Sequence, residues 1–196
     1  MSRPARTLLV AAITLCLVAP SASAAATRSH LGDLWTTLLE TPTSENPFVT
    51  GVPACVHLSG NTVAPFTPAP QDFSCTVKHG TKIFVAASTW ECSTFPGDHF
   101  EFGTTEAELR ECARQNDAQV APVVTVDGRP VTVTAVETRL LKISLPSDNI
   151  FGLTGADRNG RSVAHGWVAV VKRLARGTHI IEIEIAGNVS TTTIIV

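Results

Sequence analysis

The spacing of hydrophobic positions changes character along this chain, and each change predicts a different element. Leu31, Leu34, Trp35, Leu38 and Leu39 fall at i, i+3, i+4, i+7 and i+8, which gives a short N-terminal helix over 31–39 one apolar face. That face is expected to pack on the domain. Thr41-Pro42 through Asn46-Pro47 then breaks the helix into a loop. From residue 48 the period becomes two. Strands are predicted over 54–58 and 63–66 around a Gly60-Asn61 turn, with the proline-rich 65–70 as loop or sheet edge because proline cannot donate to a ladder. The stretches 73–77 and 82–87, joined by His79-Gly80, read as a hairpin, and 88–103 is the least regular part of the chain.

A second helix is predicted over 105–116. Thr105 and Glu108 form a capping box, and Leu109, Cys112 and Ala113 share one side, which turns Cys112 inward. Further strands are predicted over 120–126 and 130–136 around the strong turn signal Asp127-Gly128. They continue over 138–145, 163–171, 179–186 and 191–196, with a loop over 149–160 and turns at Arg176-Gly177 and Gly187-Asn188. Short strands around one short embedded helix predict a mainly β fold, an antiparallel β-sandwich or jelly-roll-like arrangement.

The first residues change this picture by removing themselves from it. Arg3 and Arg6 precede an uncharged, mostly apolar stretch over 7–18, followed by Pro20 and the small-x-small sequence Ala22-Ser23-Ala24. This is the pattern of a secretory signal peptide over 1–24, cleaved after Ala24, and its apolar part is shorter than the roughly 20 residues a membrane span needs. Leu15, before Cys16, is too large for a lipoprotein box. The expectation is a secreted protein whose residues 25–196 form a single disulfide-stapled β-rich domain with no membrane span. A chain that loses Arg3 and Arg6 moves from a formal charge of −2 to −4. No basic cluster is evident along the sequence, so nucleic acid is not the expected partner. Arginine outnumbers lysine and tyrosine is absent, a composition that suggests a GC-rich bacterial source.

Cys55, Cys75, Cys92 and Cys112 remain, an even count that reads as two disulfides in an exported chain. Three pairings are open. Cys55–Cys75 with Cys92–Cys112 is preferred because each joins neighbouring elements around a loop of similar length, and each would contribute about 3 kcal/mol. A four-cysteine zinc site would need closer C-x₂₋₄-C pairs.

The run from Cys75 to Phe84 (C-x-V-x-x-G-x-x-I-F), followed by Glu91-Cys92-Ser93, resembles a group of uncharacterised secreted bacterial β-sandwich proteins. Leu174 to Ile181 (L-x-x-G-x-H-x-I) resembles the approach to the final hairpin of bacterial immunoglobulin-like extracellular domains. Both resemblances imply an extracellular β-sandwich. Neither implies a chemistry.

Candidate chemistry concentrates in residues 90–102, an aromatic and acidic segment tethered by Cys92. Trp90, Phe95, His99 and Phe100 could meet a sugar ring or peptide. Glu91 with Asp98 or Glu101 could be the carboxylate pair of a glycan hydrolase, which needs two carboxylates about 5 to 10 Å apart. His99 with Asp98 and Glu101 could hold a metal, but no tight histidine cluster accompanies them. The competing reading is that the aromatics plug one end of the sandwich and the acids face water. His165 and His179 read as hydrogen-bonded sandwich residues. There is no G-x-S-x-G elbow and no phosphate loop, and no cofactor is implied. The expected function is a non-enzymatic binding module for an extracellular polysaccharide or surface protein. A secreted glycan hydrolase and a structural envelope protein are the alternatives.

Overall fold

Strands form where β-branched and aromatic residues pleat into half-buried surfaces, and helices where apolar residues recur every three to four positions. The computed structural model describes residues 22–69, 71–96, 102–117 and 119–196. Helices α1 (Ala22–Leu39), α2 (Pro47–Thr50) and α3 (Glu106–Asn116) accompany two sheets. The first sheet contains β1 (Ala54–Leu58), β2 (Thr62–Phe66), β4 (Lys82–Ser93) and β9 (Asn159–Val171) in that order. Along its far edge, β7 (Thr134–Glu137) and β8 (Leu141–Ser144) pair with successive halves of β9. The second sheet runs β3 (Phe73–Thr76), β11 (Asn188–Ile195), β10 (Thr178–Ile185), β5 (Val123–Val126) and β6 (Arg129–Pro130). The fold is mostly β, and two sheets packed face to face make it a sandwich.

The central strands of the first sheet are covered on both faces. Ile83, Val85 and Ala87 of β4 and Ala169 and Val171 of β9 meet Cys75, Val124, Ile181 and Ile194 of the second sheet. The opposite face, through Phe84, Ala164 and Val168, meets Leu31, Leu34, Trp35 and Leu38 of α1. Double burial explains the unbroken apolar runs at 83–87 and 168–171, where alternation would mark a strand with one wet face. Val56, Leu58, Leu141 and Ile143 belong to this same α1 cluster. Both edges of the first sheet therefore reach the helix, and the sheet curls around it.

α1 starts at Ala22, well before the predicted residue 31. Ala24 to Ala26 are good helix formers but carry no apolar periodicity, so the earlier turns were invisible to that criterion. Trp35 Nε1–H donates to Thr89 Oγ1 at 2.8 Å and so fixes the helix across β4.

The predicted irregular region begins as strand: β4 continues to Ser93. The ladder to β9 is regular except for a bulge between Ala86 and Ser88. The extra residue shifts the inward parity from odd to even positions, so Trp90 and Cys92 stay on the face of Ile83 and Val85. A period-two reading loses phase at such a point. Beyond the bulge, α3 covers that face through Leu109, Ala113, Cys92 and Val163.

The predicted hairpin over 73–87 does not form. β3 pairs in parallel with β11, β4 pairs in parallel with β2, and the turn at Lys78–Thr81 carries the chain from one sheet to the other. The hairpin at Asp127-Gly128 is real but short. Both residues adopt positive φ, 50° and 72°, as a type I′ turn requires. Pairing ends just beyond Pro130, where the Val131 N–H donates to the Val124 carbonyl at 3.0 Å, and β7 then crosses to the first sheet. The last hairpin turns at Ala186-Gly187, one residue earlier than predicted, and Asn188 already begins β11.

The preferred cysteine pairing is the observed one. Cys55–Cys75 links β1 to β3 and so joins the two sheets, while Cys92–Cys112 ties β4 to α3. Among the described residues no helix is long and apolar enough to cross a membrane.

Candidate functional site

The part of the 90–102 segment that is described belongs mainly to the interior. Glu91 sits in β4 at 3 % exposure, and Ser162 Oγ–H donates to its Oε1. Phe95 is fully buried and stacks on Phe151 with centroids 5.3 Å apart. Gly160 makes room for that ring, since a Cβ there would lie 2.5 Å from Phe95 Cε1. Trp90 is half-buried and packs beside the α3 cluster. Phe95 is therefore part of the packing, as the plug reading expects, whereas Glu91 is buried in the sheet and does not face water. Asp98, His99, Phe100 and Glu101 lie outside the described residues.

Opposite Trp90 on β9 stands His165, whose Nδ1 is 2.7 Å from Asp117 Oδ2. Ser88 Oγ–H donates to the other oxygen of Asp117 at 2.5 Å. Serine, aspartate and histidine thus meet, but the hydroxyl donates to the carboxylate and not to the imidazole. A nucleophile–base pair needs the opposite connection. Asp117 is also the C-cap of α3, so the cluster pins the end of that helix to the sheet. His179 behaves alike, with its Nδ1 2.7 Å from Asp127 Oδ2 and a contact from Nε2 to the Ala175 carbonyl. Among the described residues, no group of three or more histidine, cysteine, aspartate or glutamate side chains is placed to hold a metal.

The open site lies where the curled first sheet fails to close over α1. A cleft of ≈ 730 Å³ separates its two edges. Asp33, Thr36 and Thr37 of α1 line it, with His57 and Ser59 from the β1 side and Arg139 and Lys142 from the β8 side. Ser59 Oγ–H donates to Asp33 Oδ2 at 2.6 Å and so holds the one acid of the cleft against its wall. Beneath the floor, His30 packs edge-on against Phe84, and its burial pushes the imidazole below its ordinary value, with Asp33 opposing that shift.

A second cleft of ≈ 530 Å³ adjoins the first at Lys142 and is lined also by Thr94, Ser144, Asn159 and Arg161. The hydroxyl of Ser144 donates to Asn159 Oδ1 at 3.1 Å, and Thr94 Oγ1 accepts the Arg161 backbone N–H at 3.0 Å. The Ser144 N–H points out of the sheet, to Glu40 Oε1 at 2.9 Å. By the two-residue period, Lys142 also directs its backbone N–H and C=O away from β9. The two clefts meet at Lys142 and make a furrow along the β8 edge, furnished with hydroxyls and an amide.

This furrow has little signature in sequence. Arg139 and Lys142 are three residues apart, and Arg161 lies beyond the loop predicted over 149–160. They become neighbours only because Lys142 pairs with Arg161 across β8 and β9. The chain matches no family model, no curated protein and no solved structure with which it was compared.

Proposed function

We propose that this protein is an extracellular, non-enzymatic binding module for a surface polysaccharide, and that the furrow along β8 is its site. The observation that carries this reading is the open edge of a sheet curled around α1, a preformed concavity lined by Thr36, Thr37, Ser59, Ser144 and Asn159. Hydroxyl and amide groups at fixed positions are what a polyhydroxylated chain exchanges for water, and a rigid groove spares the ordering cost of binding. The two disulfides and the export pattern of residues 1–24 support an oxidising, extracellular setting. The position of Glu91, buried against Ser162, supports a structural part for that carboxylate and so favours binding over hydrolysis.

Affinity electrophoresis of the oxidised domain through gels containing bacterial and plant polysaccharides tests the reading. At least one polysaccharide should retard the wild type, without release of reducing ends. Thr37→Trp, an exposed position whose enlargement fills the cleft, should cut the retardation at least tenfold while Tm is unchanged. Equal retardation of the variant, or none of the wild type by any polysaccharide, would overturn the reading.

A further inference from the structure

Like charges facing each other on neighbouring strands weaken a sheet. Lys142 and Arg161 are such a pair, directly opposite in the β8–β9 ladder and both exposed. Arg139, also exposed, stands three residues before Lys142 on the same edge. Among the described residues none of these cations takes part in an ion pair. By contrast Arg110 and Arg114, the arginines of α3, bond Glu106, Glu111 and Glu137. The chain carries a formal charge of −2, so three unneutralised cations along one furrow reverse the sign locally. The second cleft has no acidic residue in its lining, and the acid of the first, Asp33, is held by Ser59.

We infer that the polysaccharide of this furrow is acidic, bearing carboxylate or sulfate groups that seat between Arg139, Lys142 and Arg161. The inference rests on the polysaccharide-binding reading above and names its substrate class. Guanidinium forks bond carboxylate or sulfate oxygens bidentately, and the ammonium adds a compact charge between them. Arg139, just before β8, and Lys142, within it, both line the furrow, so they would meet anionic groups spaced along a chain. Ser144, Asn159 and Thr94 then remain for the neutral hydroxyls. A furrow kept at the cost of Lys142–Arg161 repulsion relaxes when an anion enters it.

The test compares the oxidised domain with polygalacturonate, dextran sulfate, neutral dextran and a single-stranded oligothymidylate, each at rising salt. Binding to polygalacturonate or dextran sulfate is expected, with affinity falling steeply as salt screens the cations. Which of the two binds more tightly tells carboxylate from sulfate. In Lys142→Gln/Arg161→Gln, affinity should fall at least tenfold while Tm stays level or rises, because repulsion has been removed. A lower Tm with binding intact would overturn the inference by showing that the cations serve the fold. Dextran bound as tightly as the acidic chains, without salt dependence, would overturn it too but leave the polysaccharide reading standing. Oligothymidylate bound as tightly as the acidic glycans would replace it with unselective polyanion binding. No binding to any glycan would remove both readings.

Discussion

His30 and His179 are pushed in opposite directions by their surroundings. Burial beside Phe84 holds the His30 imidazole below its ordinary value, and Lys82 adds to the effect while Asp33 opposes it. The hydrogen bond that Asp127 accepts from its ring, with a second to the Ala175 carbonyl, holds His179 above that value. An unfolded histidine titrates near 6.5. The His30 contribution to stability is therefore complete above that pH and is lost as pH falls through its lower folded value. The His179 contribution is complete below 6.5 and is lost as pH rises through its higher folded value. Melting curves between pH 5 and 7.5 should show a shallower acid limb for His30→Leu than for the wild type. Equal slopes would mean that the fold does not select the neutral His30. His165 is the counterpart with a different part to play: its carboxylate partner caps a helix, so the imidazole reports on where α3 ends rather than on a reaction.

At the scale of elements, α3 shows how a local signal and a distant constraint reinforce each other. The Glu108 N–H donates to Thr105 Oγ1 at 3.3 Å, and Glu108 Oε2 accepts the Thr105 N–H at 3.1 Å and the Thr104 N–H at 2.8 Å. These bonds, led by the Thr104 hydroxyl, hold the Glu108 carboxyl below the usual carboxylate range. Cys112, Arg110 and Asp117 then attach the helix to β4, β7 and β9. Thr105→Ala should cost about 1 kcal/mol, the usual worth of such a cap. Chemical denaturation is the measurement, and an unchanged midpoint would show that the Cys92–Cys112 link alone orders the helix start. The bulge in β4 is a second device at this scale. It keeps Ile83, Val85, Trp90 and Cys92 on one face, so one strand serves both the inter-sheet core and the α3 cluster.

The whole molecule is three layers: the second sheet, the first sheet, and α1 within the curl of the first. Cys55–Cys75 is the covalent bond between the first two layers, joining strands at the edges of different sheets. Closing its loop of 20 residues stabilises by about 3 kcal/mol on the chain-entropy model. Cys55→Ala/Cys75→Ala should lose about that much in urea unfolding. A much smaller loss would mean that Ile83, Val85, Ile181 and Ile194 hold the layers without help. The furrow exists only at this scale, since it is the gap left between β1 and β8 by a sheet that wraps a helix without closing.

What the sequence determined by itself was local. The 31–39 face of α1, the capping box of α3, the Asp127-Gly128 turn and most strands from 54 onward follow from periodicity and turn chemistry within a few residues. The favoured cysteine pairing was legible for a similar reason, because each bridge closes a loop of only 20 residues. Tertiary structure decided which sheet each strand joins: Cys75 pairs with Ile194 in one sheet and Ile83 with Val171 in the other. It also decided that Glu91 and Phe95 are packing residues, since a polar residue in a doubly covered strand looks in sequence like one in a loop. Above all it brought Arg139, Lys142 and Arg161 together. The physical reason is that strand pairing joins positions far apart in sequence, and a local hydrophobic pattern fixes which face a residue takes but not which strand will lie beside it.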